Sequence, residues 1–307
     1  MQKSSIPLKW WTSLNEPSDK GFYLAIFRIY LSFHMLKKLV FIWPSSYFLF
    51  GEGRLMAASH PDGYTILSIN ADYLSNHIGL FLSFVVVLLI LFGFGIGRFV
   101  TSWLLFLSWY IIQRLNPYIL NGGDNYLILI LMYMCFADSY THLSLSKSSG
   151  FERNSINNFL TNLAIISIQV HLCLIYFISG ISKVHSDLWY NGVAIYYILN
   201  LERFSATDYN LALSQNGFFV TLAGYTTMLW ETFFFFLVSI NKTKVPALVL
   251  GVVIHLSIYF FMMIHDFEIL YIMVYGFFFT DEELKHFARN VVEGIRKVRA
   301  SFESMHL

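Results

Sequence analysis

Several residues able to move protons or hold charge stand inside otherwise apolar stretches of this sequence. Gln169, Cys173, Tyr176, Gly180 and Lys183 follow one another at steps of four, three, four and three, which puts them on one face of a helix. Gly180 strips that face of a side chain, so another backbone or a ligand can approach closely. A lysine at the mouth of such a pocket loses hydration, and burial lowers its pKa toward the range of a general base. The structural alternative is a lysine that snorkels to an interface. His255, Tyr259, Met262 and Asp266 form a second helical stripe, in which the plain reading of His255 is a hydrogen-bonded core residue. Arg28, His34, Lys37, Lys38, Arg114, Asp138, His171 and Glu231 also lie within apolar runs, with Asp124 at the end of one. Ionisable groups in such surroundings are functional candidates by default. The alternative for Arg28, Arg114, Asp138 and Glu231 is structural pairing within a bundle. Glu231 in particular requires a buried cationic or hydrogen-bonding partner, for which Arg28 and Arg114 are the candidates within the runs. No zinc-type spacing, phosphate-binding glycine loop, nucleophile elbow or Cys-x-x-Cys pair occurs, so no metal site is expected.

Composition says what must position these groups. The chain has 307 residues, of which 56% are apolar, 19% aromatic and 13% charged, with a mean hydropathy of +0.58. Soluble domains average about 25% charged residues. The balance excludes a disordered chain, a collagen-like fibre and a disulfide-stapled module, and argues against an ordinary soluble enzyme. A net charge of +1 supplies no field for nucleic acid, and no such partner is expected. Cys135 and Cys173 sit in apolar runs and read as core thiols. Met1–Lys20 shows no cleavable signal.

The class that remains is an all-α integral membrane protein, with membrane lipids as its surroundings. Segments near the roughly 20 residues needed to cross hydrocarbon are Phe22–Trp43, Ile78–Gly97, Phe99–Leu120, Asn125–Thr141, Phe159–Val184, Phe218–Ile240, Val245–Ile264 and the short Phe267–Phe279. They predict a bundle of about eight transmembrane helices over residues 1–280, with 1–20 a cytoplasmic or interfacial lead. Turn signals at Pro44, Gly51, Gly53 and Pro61-Asp62-Gly63 mark a loop over 44–77. Val193–Phe204 reads as an aromatic amphipathic helix in the outer segment 185–217. The tail 281–307 reads as a cytoplasmic amphipathic helix, acidic in its first turn and basic later, which suits the helix dipole. With eight spans and a cytoplasmic N-terminus, thirteen of the 20 Lys and Arg residues fall on the cytoplasmic side, three outside and four within spans. That bias predicts cytoplasmic termini and Lys183 near the outer face.

The segment His171-Leu-Cys-Leu-Ile-Tyr176-Phe-Ile-Ser-Gly180-Ile-Ser-Lys183-Val, with Trp189-Tyr-Asn-Gly192-Val-Ala194-Ile-Tyr196-Tyr197, resembles the signature of the horizontally transferred transmembrane (HTTM) family, which includes the vitamin K-dependent γ-carboxylases. Phe27-Arg28-Ile29, Asn121-Gly122-Gly123-Asp124, Trp230-Glu231, and His255 followed by Phe267-Glu-Ile-Leu-Tyr-Ile-Met273 agree with it in order. The resemblance covers most of residues 20–280. It implies that Lys183 is the base that deprotonates a lipid hydroquinone of the vitamin K or menaquinone type. Oxygen and carbon dioxide are then co-substrates and an exported peptide the substrate. It also implies a cavity beside Lys183 lined by Tyr176 and Gly180, covered by Trp189, Tyr196 or Tyr197, with Asp124 or His255 within reach of the head group. Ser182 replaces a second lysine of the carboxylases, and Gly123-Asp124 stands where they carry a histidine. The tail offers no counterpart of their large extramembrane domain, which leaves a soluble accessory protein as a candidate partner. In length and in the Gly-Gly-Asp block the chain looks more like the SdpB-type proteins that mature a sporulation-delaying peptide toxin, which implies a bacterial plasma membrane.

Three functional classes stay open at this point. One is a quinone-dependent, carboxylase-like enzyme that modifies an exported peptide. The second is a non-catalytic membrane subunit for peptide toxin maturation or export. The third is an immunity or transport protein whose pathway is lined by Arg28, Arg114 and Glu231.

Overall fold

The computed structural model describes residues 12–51, 71–146, 155–204 and 207–305, and every regular element among them is helical. We number the principal helices α1 (Gly21–Ile42), α2 (Ile78–Phe94), α3 (Arg98–Leu115), α4 (Gly122–Met134), α5 (Ser155–Val184), α6 (Ala194–Asn200), α7 (Gly217–Ser239), α8 (Asn241–Phe261), α9 (Glu268–Val274, continued by the 3-10 turn Tyr275–Phe278) and α10 (Asp281–Met305). By length and composition, α5, α7 and α8 are each able to cross a membrane, while α2 and the α9 unit are apolar but shorter. The partition of side chains agrees with a lipid surrounding. Phe41 and Leu80 are each 74% exposed, whereas Arg28 and Glu268 are fully buried. In water that arrangement would be inverted; against lipid it hides the polar groups and presents the apolar ones.

Local chemistry sets where the helices start and turn. Gly95 and Gly97 adopt positive φ values of 73° and 79°, which glycine does without steric cost, and the chain reverses there from α2 into α3. Asn121 and Asp124 form a reciprocal capping box that opens α4. Asn216 caps α7 by accepting from the Phe219 N–H at 3.1 Å. The first free N–H groups of α1 are satisfied from the other end of the sequence: Phe22 and Tyr23 donate to the Asp281 carboxylate at 2.7 and 2.9 Å. Asp281 itself opens α10, where Thr280 and Glu283 make a second capping box at 2.8 and 3.1 Å. The Thr280 backbone N–H, and then Lys244 at 3.0 Å, hold the Glu283 carboxyl below its usual range.

Contacts sort the segment ends into two groups. At one end Asp281 N–H meets Asp19 O (2.8 Å), Leu145 N–H meets Phe94 O (2.9 Å), Arg98 pairs with Asp138 (3.3 Å), and Asn162 reaches Leu14 O (2.9 Å). At the other end Asn116 reaches Leu49 O (3.0 Å), Lys38 pairs with Asp124, and Asn210 reaches Phe261 O (2.7 Å). The α1, α2, α3, α4, α5, α7, α8 and α9 segments therefore run alternately between a near end, where α1 begins, and a far end. The core between them is apolar at helical spacing: Leu24, Phe27, Leu31 and Met35 of α1, Leu82, Val85, Leu89 and Phe92 of α2, and Leu105 and Trp109 of α3 belong to one buried cluster.

Three sequence expectations change. The sequence pattern places the fourth segment at Asn125–Thr141, but α4 starts at Gly122 and stops at Met134. Its start is set by the capping box. Beyond its end, Arg28 takes the carbonyl oxygens of Ser139 and Leu143, and that part of the chain is non-helical. The last segment is seven α-helical residues and a four-residue 3-10 turn, roughly 18 Å long, against about 30 Å of hydrocarbon. Its buried residues Leu270, Tyr271, Val274 and Phe277 make it an interior element. The proposed helix Val193–Phe204 is α6 plus a separate 3-10 turn, Glu202–Phe204. The turn signals at Gly53 and Pro61-Asp62-Gly63 lie outside the described residues, as do 1–11 of the N-terminal lead.

Candidate functional site

Two polar centres are built on the inner face of α5. The first is Lys183, in the last turn of α5. Its ammonium donates to Glu231 Oε2 of α7 at 2.5 Å and to Ser179 Oγ at 2.7 Å, and it lies 5.1 Å from the centroid of the Trp189 ring. Gly180 makes this meeting possible. A Cβ there would lie 2.6 Å from the Thr232 backbone nitrogen, so only glycine lets α7 come this close. That approach brings Glu231, the neighbour of Thr232, to the lysine. Both side chains keep limited access, 17% for Lys183 and 13% for Glu231.

The second centre lies two helical turns away along α5, roughly 10 Å in axial rise. Tyr176 Oη sits between His255 Nε2 (2.6 Å) and Tyr275 Oη (2.7 Å). His255 Nδ1 is hydrogen-bonded to Glu268 Oε2. Glu268 has no exposed surface, and its second oxygen, Oε1, has no hydrogen-bond partner. The four residues come from α5, α8, α9 and the turn after it. Trp230, Phe234 and Tyr271 surround Tyr176 with aromatic rings, and Tyr271 also meets His255. A carboxylate, an imidazole and a phenol in series can pass a proton along the chain or orient the phenol. The Lys183 ammonium has the Glu231 carboxylate as its adjacent acceptor.

The structure separates residues that the sequence reading had gathered. Gly180 is filled by Thr232 and Tyr176 is 3% exposed, so neither lines an open space at Lys183; packing between helices has claimed both. Trp189 does cover Lys183. Tyr196 and Tyr197 are exposed and contact each other edge to face. Asp124 is held elsewhere, by Lys38 and its own capping box, while Gln113 Nε2 donates to its backbone oxygen at 3.0 Å. His255 belongs to the second centre. The partner of Glu231 is Lys183, not Arg28 or Arg114. Arg28 donates to backbone carbonyls, and Arg114 is exposed beside Tyr110 (3.1 Å). His171 meets Tyr133 Oη at 3.2 Å, away from Lys183.

Sequence reasoning passed over Tyr275 and, above all, Glu268. Its signal was a lone carboxylate in the first turn of an apolar segment, 13 positions after His255. No family model, curated protein or solved structure matches this chain.

Proposed function

We propose that this chain is an eight-segment membrane protein that matures an exported peptide by proton-transfer chemistry at Lys183, in the manner of the HTTM family it resembles. The observation that carries the proposal is the Lys183–Glu231 pair, held under Trp189 at the end of a membrane-length helix with partial access. In this reading both termini are cytoplasmic, the far end faces outward, and Lys183 opens toward the outer leaflet of a bacterial plasma membrane.

The pair alters the chemistry expected of the lysine. An ammonium bonded to a carboxylate is not a base until its proton moves, and Glu231 Oε2 is the adjacent acceptor. Lys183 Nζ then takes a proton from the substrate side while Glu231 retains the first. A lipid hydroquinone of the menaquinone type, with oxygen and carbon dioxide, is the cofactor chemistry that this reading brings. It would supply an acidic hydroxyl and reducing power, and the chain offers it the Trp189 ring face and the Lys183–Glu231 pair.

The test is amine-selective labelling of Lys183 in proteoliposomes. Reduced menaquinone at saturating levels should protect Lys183, and Lys183→Arg should fold normally yet lose peptide maturation, because arginine keeps the pair but does not give up its proton. No protection, with Lys183→Arg fully active, would leave Lys183 a structural residue. A second reading, a proton-coupled transporter, draws on the buried Glu268–His255–Tyr176 series. It is distinguished by loss of function at Glu268→Gln while Lys183→Arg remains active.

A further inference from the structure

Lys37 and Asp266 are charged, yet neither side chain has a hydrogen bond or ion pair with the protein among the described residues. Both line one open pocket of about 390 Å³ at the far end, together with Lys38, Phe41, Tyr259 and His265. Lys38 is satisfied by Asp124. Lys37 has the Phe41 ring, 5.8 Å from its ammonium, and both Lys37 and Asp266 lie within electrostatic range of His34. Lys37 and Asp266 face the same space without closing to the 4.0 Å of an ion pair. Two unmatched opposite charges set apart across a cavity complement a ligand that itself carries both signs.

The surroundings say what kind of ligand. Phe33, Lys37, Val40 and Phe41 share one face of α1 by their spacing, and Phe33, Val40 and Phe41 are 67%, 63% and 74% exposed. Lys37 lies roughly 24 Å along α1 from its first residue, near the head-group level of a hydrocarbon core about 30 Å thick. Phe33, one turn nearer the bilayer centre than Lys37, carries an apolar surface inward from the pocket, where an acyl chain would lie.

We propose that this pocket binds the head group of an aminophospholipid, with Lys37 on the phosphate and Asp266 on the primary ammonium. A phosphate next to Lys37 forms a charge-assisted hydrogen bond. The ammonium brings three N–H donors to Asp266, which a quaternary trimethylammonium cannot do. The site is independent of Lys183, and its test does not involve peptide maturation.

Native mass spectrometry of the delipidated full chain, titrated with phosphatidylethanolamine, phosphatidylcholine and phosphatidylglycerol, checks the assignment. Phosphatidylethanolamine should bind about tenfold tighter than phosphatidylcholine. Asp266→Asn should abolish that preference, and Lys37→Gln should weaken both lipids. Equal binding of the two zwitterionic lipids, or an Asp266→Asn protein that keeps the preference, would overturn the proposal. Soluble glycerophosphoethanolamine separates the sources of the head group: displacement of the lipid at equal concentration would make the site one for a free phosphate ester and reject the lipid assignment. Should either variant fail to fold, a photoreactive phosphatidylethanolamine on the wild-type chain decides. Crosslinks at Lys37–Phe41 competed by phosphatidylethanolamine but not by phosphatidylcholine support the site, and equal competition rejects it.

Discussion

At the residue scale, each interior charge is balanced in a different way. Arg28 donates to carbonyl oxygens where the chain leaves α4. Asp124 is shared between a helix cap and Lys38. Glu231 has Lys183. Removing one member of a buried pair leaves the other uncompensated, which costs about 3 kcal/mol or more, whereas replacing both by apolar groups is often near neutral. Glu231→Ala should therefore lower unfolding stability in detergent by about 3 kcal/mol, and Glu231→Leu with Lys183→Met should recover most of it. If the double variant is no more stable than the single one, the two side chains do not depend on each other.

At the element scale, close backbone approach and capping hold the bundle in register. Gly180 and Thr232 bring α5 and α7 together, and a methyl group at Gly180 would fall 2.5 Å from Thr232 Oγ1 and 2.9 Å from its Cα. Gly180→Ala gains helix propensity, about 1 kcal/mol, but must push α7 away. A net loss of about 1–3 kcal/mol in thermal unfolding is expected, with weaker contact between Lys183 and Glu231. An unchanged or raised melting temperature would contradict the packing. The start of α10 is a different case. The Thr280 N–H, with Lys244, depresses the Glu283 carboxyl below its ordinary value of 4.5. A carboxyl lowered on folding contributes stability above its unfolded pKa and loses it as pH falls through the folded one. The protection of residues 280–284 against hydrogen exchange, relative to the intrinsic rate at each pH, should hold at neutral pH and fall below about pH 4.5, and Glu283→Gln should flatten that dependence.

At the scale of the whole molecule, the segments alternate between two ends. The near end then holds both the start of α1 and the start of α10, joined through Asp281. Together with the charge bias, this forecasts the orientation. A cysteine at Pro61 should react with an impermeant thiol reagent added outside, and one at Ser148 should not. The reverse pattern would move Lys183 to the cytoplasmic side and remove the access to an exported peptide. The short α4 and α9 need support from their neighbours, since neither covers the hydrocarbon alone. Gly123 packs directly on Phe267 where their N-terminal ends meet.

Much of this architecture is legible in the sequence because the information is local. Apolar length and turn residues mark each segment, helical spacing places Tyr176, Gly180 and Lys183 on one face, and Asp281-Glu282-Glu283 announces α10. What local pattern cannot carry is which faces meet. The segments present similar apolar surfaces, so their rotation and depth are set by packing between helices distant in sequence. Only the tertiary structure decides that Thr232 fills Gly180, that Glu231 answers Lys183, and that Asp124 is held by Lys38 at the far end. The same limit hid Glu268: one carboxylate at the start of a short apolar run has no partner in its own helix, and His255 reaches it only because α8 and α9 fold against each other.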